Sequence, residues 1–175
     1  MKPLLGLGWL FWMCLSVPAA GQQVQEAEIR FEIANAGLTV DGTLSGLEAT
    51  VQFDAGRLEQ ARIRASVPVN SIKTGISLRD RHLLKPEYFD AATYPTITLQ
   101  STAFRKMGPN QFEGFFILTI KGVRRDVKLP FTVSGTNEFQ GRLSLNRLDY
   151  NVGQKSLFLS DKLVVTIRMK LAKGA

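Results

Sequence analysis

Ser160-Asp161-Lys162-Leu163-Val164-Val165-Thr166-Ile167-Arg168-Met169-Lys170-Leu171 decides how this chain folds. Leu163, Val165, Ile167, Met169 and Leu171 alternate with Thr166, Arg168 and Lys170, and a period of two sends one row of side chains into a dry interior and the other into water. The stretch from Leu58 to Val69 reads the same way, with Ile63, Ala65, Val67 and Val69 set against Arg62, Arg64 and Ser66. Ten residues of strand span roughly 33 Å at about 3.3 Å per residue. Strands this long in a domain this small favour a closed barrel over a two-layer sandwich, because closure removes exposed edges. The sandwich stays open as the alternative.

Working outward, Ile29, Phe31 and Ile33 alternate with Arg30 and Glu32, and the same pattern recurs at Val127, Leu129, Phe131 and Val133 and at Phe139, Leu143 and Leu145. Turn residues punctuate these runs at Asp41-Gly42, Asp54-Ala55-Gly56, Gly108-Pro109-Asn110, Lys121-Gly122 and Gly135-Thr136-Asn137. Such connections are too short for parallel crossovers. The expectation is an all-β domain of about eight antiparallel strands, mostly paired with their sequence neighbours. Pro68 and Pro130 fall inside strand patterns and call for a bulge or an unpaired edge. Phe112 to Ile120 is apolar on both faces, since Phe115 and Ile117 match Phe116, Leu118 and Ile120, so one face lines the interior and the other needs a cover.

The segment Ser71–Ser101 is the one part of the mature chain that does not read as strand and turn. It predicts a short helical excursion at 77–92, with Ser77 as cap, Asp80 three residues on, and Pro86 as stop. Leu78, Leu83, Leu84 and Phe89 are its natural packing residues, and the excursion is the material available to cover the outer face of the 112–120 strand.

At the other extreme of the chain, Met1-Lys2, the apolar run Leu4 to Val17 and the small residues Ala19, Ala20 and Gly21 read as a signal peptide over residues 1–21, leaving one domain over 22–175 and a periplasmic destination. A run this short falls below the ~20 apolar residues of a membrane span. Cleavage removes Cys14, the single cysteine, so the mature domain relies on burial rather than disulfides. It also removes Lys2, which leaves a net charge one below the +7 of the whole chain. That surplus suits contact with an anionic membrane surface, and it serves solubility equally well.

Several scattered pieces together carry a resemblance. Ser71-Ile72-Lys73-Thr74-Gly75, Arg79-Asp80-Arg81-His82-Leu83, Tyr88-Phe89-Asp90, Tyr94-Pro95, the Phe112-Glu113-Gly114 strand leading to Lys121-Gly122-Val123, Arg147-Leu148-Asp149-Tyr150 with Gly153, and Leu159-Ser160-Asp161 resemble the YceI-like family of periplasmic polyisoprenoid-binding proteins. The resemblance implies a lipocalin-like antiparallel barrel whose apolar cavity holds a polyisoprenoid or a similar long-chain lipid. The chain departs from the family at Asn35, with no histidine near the first strand, at Ile76 after Thr-Gly, and at Tyr88-Phe89 in place of paired phenylalanines.

The candidate cavity residues are Phe31, Phe53, Ile63, Phe116, Phe131, Leu145 and Ile167. They serve equally as a packed core or as the wall of a hollow, since a barrel of about eight strands is either filled by its side chains or holds one small ligand. Arg79 and His82 are the rim candidates for a ligand head group, a planar guanidinium being suited to phosphate or carboxylate. His82 is the only histidine, so no multi-histidine metal site is expected, nor any cofactor. Asp80 and His82 lie two apart on a helix and do not face each other. No catalytic residue is assigned; the alternatives are an enzyme acting on an isoprenoid with His82 as acid or base, and a solid-core envelope stress protein. Nucleic acid is not expected as a partner, because the aromatics take the dry face of the strands, opposite the charges. The pattern leaves oligomeric state undecided.

Overall fold

The computed structural model describes residues 22–135 and 137–172; the expected signal segment with Cys14 lies outside them. Nine strands follow the chain: β1 (Gln22–Asn35), β2 (Leu38–Leu44), β3 (Glu48–Gln52), β4 (Arg62–Pro68), β5 (Thr96–Gly108), β6 (Gln111–Ile120), β7 (Val123–Ser134), β8 (Glu138–Asn146) and β9 (Leu159–Leu171). One helix, α1 (Ser77–Leu83), lies between β4 and β5. From β3 onward each strand pairs antiparallel with the next, and β9 returns to pair with β1 from Val24 to Asn35. That last ladder closes the sheet. On its other edge β1 carries β2 along Ile29–Asn35 and β3 at Gln22–Gln23, so two short strands share one position and the barrel has eight. The hydrogen-bonded ring begins at Gln22 and is completed by Leu171.

The barrel is solid at one end. Phe53 sits among Phe104, Phe112, Phe131 and Phe139, with ring centroids 5.1 to 5.6 Å away and edge-to-face geometry, an arrangement the ring quadrupoles favour. Val51 and Leu171, both fully buried, complete this plug. Outward faces are charged, as at Arg62 and Arg64 on β4. No helix among the described residues is long and apolar enough to cross a membrane.

Four expectations are corrected. The run Leu58–Val69 is not one strand: Leu58–Gln60 and Val69–Ser71 are 3-10 turns flanking β4. Asp41-Gly42 is no turn but lies within β2, and the chain reverses instead at Ala36-Gly37, both at positive φ. Ser77 does not cap α1; Ile76 holds that position with no side-chain hydrogen bond, and Asp80 bonds back to Thr74. The excursion does not cover the outer face of β6. There the Arg105 guanidinium and the Lys128 ammonium lie 5.9 and 5.8 Å from the Phe115 ring, so cations with apolar stems shield it. Pro130 is tolerated because the β7–β8 ladder starts one residue later, at Phe131, where the missing N–H is not needed.

Candidate functional site

Above the aromatic plug the barrel is hollow. A single continuous cavity of about 720 Å³ runs from the plug to the opposite end, a size typical of pockets that enclose small-molecule ligands. Its wall is hydrocarbon along the shaft, with Ile29, Leu99, Leu118, Leu143, Val165 and Ile167 among the inward side chains. Polar side chains gather toward the far end, at Asn35, Thr74, Arg79, His82 and Arg147. Inward residues of β9 remain half-exposed at Leu163, Val165, Ile167 and Met169, whereas Leu171, in the plug, is completely buried. The difference arises because the first four face the void.

Glycine keeps this space open. Gly42 stands opposite Phe31 on the neighbouring strand, and a Cβ there would meet the Phe31 ring at 2.1 Å. A Cβ at Gly114 would meet the Phe116 ring at 2.3 Å. Both rings therefore lie flat in notches of the wall rather than projecting across the lumen. The same alternating sequence with alanine at these positions would push the rings inward.

The excursion 68–95 roofs the open end. It is held by a two-way backbone bridge between Thr43 and Lys73 (2.8 and 3.0 Å), by the Gly153 N–H donating to Glu87 O (2.9 Å), and by Tyr94 packed over the Lys121-Gly122 turn. Inside the roof, Asp80 accepts hydrogen bonds from the Thr74 hydroxyl (2.6 Å) and the Thr74 N–H (2.8 Å). Arg79 donates to the Thr74 hydroxyl and carbonyl. Asp80 is held below the ordinary carboxylate range, first by the Thr74 hydroxyl, then by the Thr74 N–H and the Lys73 and Arg79 charges. Tyr88 and Phe89 turn inward against Leu118, Ile120, Tyr150 and Val152.

Of the residues singled out from sequence, Phe31, Ile63, Phe116, Phe131, Leu145 and Ile167 line the cavity, as do Arg79 and His82 at its mouth. Phe53 does not; it is the centre of the plug. His82 is exposed and packs edge-on against Tyr88, ring centroids 5.0 Å apart, while its neighbour Asp80 is committed to Thr74. Among the described residues no cluster of three or more histidine, cysteine or acidic side chains is placed to hold a metal ion.

Sequence reasoning missed Arg147. Its guanidinium is 5% exposed, lines the cavity, pairs with Asp161 at 2.8 Å, and donates to the carbonyls of Val152 (3.0 Å) and Ser160 (2.9 Å). Val152 lies in the loop after β8, and Ser160 and Asp161 are among the first residues of β9, so the side chain staples that loop and the start of β9 to the end of β8. The signal was present: Leu143, Leu145 and Arg147 continue the inward period of two, which places a charge on the dry face.

Against known protein families, residues 22–171 match the YceI-like domain. The chain belongs to the YceI-like family. Protein YceI of Salmonella arizonae is 28% identical over 144 residues, 78% of this chain and 75% of that one. Among solved structures of YceI-like shape, BcnA of Burkholderia cenocepacia superposes with a TM-score of 0.79 at 25% identity, covering 84% of this chain and 96% of its own. A polyisoprenoid-binding domain from Saccharophagus degradans, implicated in plant cell wall breakdown, shares the fold at TM-score 0.67 and 12% identity, over 87% of this chain and 98% of that one.

Proposed function

We propose that this YceI-like barrel is exported and encloses the hydrocarbon tail of a long-chain amphiphile, a polyisoprenoid or its quinone or phosphate derivative, for transport or storage away from water. The observation that carries the proposal is the 720 Å³ cavity, blind at the aromatic plug, apolar along its shaft and polar at its mouth. Such a shape takes a tail first and leaves the head group beside Arg79 and His82. Burying one five-carbon unit is worth roughly 3 to 4 kcal/mol at about 0.8 kcal/mol per methylene-sized group. Association costs on the order of 4 to 15 kcal/mol, so several units must be enclosed, which a shaft this long favours. The polyisoprenoid-binding neighbour of the same fold supports the ligand class, and the Lys2 to Gly21 segment supports export. The proposal includes no reaction: the His82 ring meets Tyr88, and Asp80, two residues before it, accepts its hydrogen bonds from Thr74.

Native mass spectrometry of protein isolated from its own cells tests this. The expected result is an added mass that organic extraction removes. A Val165→Phe, Ile167→Phe double variant fills the shaft with apolar volume, and it should keep its thermal stability yet emerge without the added mass. Wild-type protein that carries no extractable mass and takes up no prenyl alcohol would sink the proposal.

A further inference from the structure

The mouth of the cavity is ringed by apolar side chains that point into solvent. Leu157 and Phe158 are 98% and 69% exposed, Leu38 is 73%, and Ile76 and Leu78 are 53% and 71%. They come from three separate segments, yet all lie at one end of the barrel. Leu38 pairs with Asn35, a cavity residue, Phe158 precedes Leu159, another, and the Ala36 N–H donates to Phe158 O at 2.8 Å. Ile76 and Leu78 are exposed and line the cavity at once, so beside the polar groups of the mouth a strip of hydrocarbon surface continues from the lumen onto the rim. Among the described residues, the plug end shows only Met107 as an exposed large apolar side chain. Grouped exposure of this kind marks an interaction surface.

Charge at the same end selects the occupant. Across residues 36–46, 73–87 and 154–159 the exposed charged side chains are Lys73, Arg81, Lys85 and Lys155 against Asp41 and Glu87. We propose that this rim docks on an anionic lipid bilayer, with Leu78, Leu157 and Phe158 seated among the head groups and the cations facing lipid phosphates. This deepens the ligand-binding proposal and rests on it, because a tail too insoluble for water then passes between bilayer and shaft along continuous hydrocarbon. Amphipathic surfaces bind membranes by this combination of buried apolar area and attraction to anionic lipid.

The test compares the wild-type protein with a Leu78→Asp, Phe158→Asp double variant, both changes being at exposed positions. Sedimentation with phosphatidylcholine vesicles is compared with vesicles containing about one third phosphatidylglycerol, since each basic residue near such a surface adds attraction. Wild type should bind the anionic vesicles, more weakly as salt rises, and the double variant should bind at least about tenfold less, as loss of two inserted apolar side chains implies. Equal vesicle binding by the two proteins, or none by wild type, overturns the docking face. A loss in the variant that coincides with conversion of a dimer to a monomer also overturns it, the occupant then being a second copy. Uptake of farnesol from vesicle-free buffer is measured on the same proteins. Intact uptake with no vesicle binding removes docking alone, whereas absent uptake removes the cavity proposal and the transfer role of this face with it.

Discussion

The two ends of the barrel are built from the same strands with the same alternation, yet one is solid and the other hollow. At the plug, Phe53, Phe104, Phe112, Phe131 and Phe139 pack against one another, and the β5–β6 and β7–β8 connections are short. Above it the Phe31 ring is folded against Gly42, and at the mouth the connections grow into the 68–95 roof and the 147–158 loop. Alternation sets which face is inside; residue volume at a few inward positions sets whether that inside is filled. Hollowness is thus a local property of side-chain packing rather than of barrel topology.

Truncation at the two ends should separate them most sharply. Phe112→Ala in the plug is expected to lower unfolding free energy by about 3 to 5 kcal/mol, the range for a fully packed aromatic. Phe31→Ala, whose ring faces the void, should lose no more than about 2 kcal/mol, since fewer contacts vanish. Denaturant titration of both variants decides the matter, and equal losses would mean that the mouth is as tightly packed as the plug. Next in size is Arg147→Met. It strands the Val152 and Ser160 carbonyls and the Asp161 carboxylate, and unmet buried partners of this kind cost about 1 to 3 kcal/mol each, softened here because Asp161 is one-third exposed. The expected loss is about 2 to 3 kcal/mol, with faster hydrogen exchange confined to residues 147–160.

The contrast between the ends explains what was legible in the sequence. The strands of 123–134, 138–146 and 159–171 declare themselves through strict alternation, and the resemblance to YceI-like proteins agrees with their closure into a barrel. Asp41-Gly42 misleads because its composition is that of a turn, whereas Gly42 is there for the Phe31 ring on the next strand, a contact between residues that local patterning does not see. Phe53 misleads for a related reason. Its inward parity is plain, but parity gives no depth along the barrel axis, and depth separates plug from shaft. The inward parity of Arg147 was legible, but its partners were not, because the Val152 and Ser160 carbonyls carry no residue identity and Asp161 lies fourteen residues away.

Gly42→Ala sharpens the comparison further. The added methyl group has no room beside the Phe31 ring, so the ring must swing into the shaft. A stability loss of about 1 to 3 kcal/mol is typical of such overpacking. The informative readout is uptake of a prenyl alcohol, which should fall more than stability does, because the displaced ring occupies the space a tail would use. Phe112→Ala, in the plug and away from the cavity wall, should instead lower stability without a comparable effect on uptake.

The smallest effects concern pH, and they again divide the two ends. Both titrating groups with buried side chains and displaced pKa values sit at the mouth: Asp80, held low, and Tyr150, pushed up to about 12 mainly by burial and then by Asp149. A depressed carboxylate adds stability above its unfolded value of about 3.9 and loses it as pH falls through the folded value. A raised phenol adds stability below its unfolded value of about 10 and loses it as pH climbs toward 12. The roof should therefore be indifferent to pH between about 5 and 9, and hydrogen exchange at residues 71–90 should rise only in acid below the aspartate range. Asp80→Asn keeps the shape of the side chain and removes its charge, so the roof should loosen modestly at neutral pH and lose that acid-side step, while exchange at Phe112 and Phe131 stays unchanged. Acid sensitivity that persists in the variant would assign the step to a group other than Asp80 and leave the Thr74 contacts as simple packing.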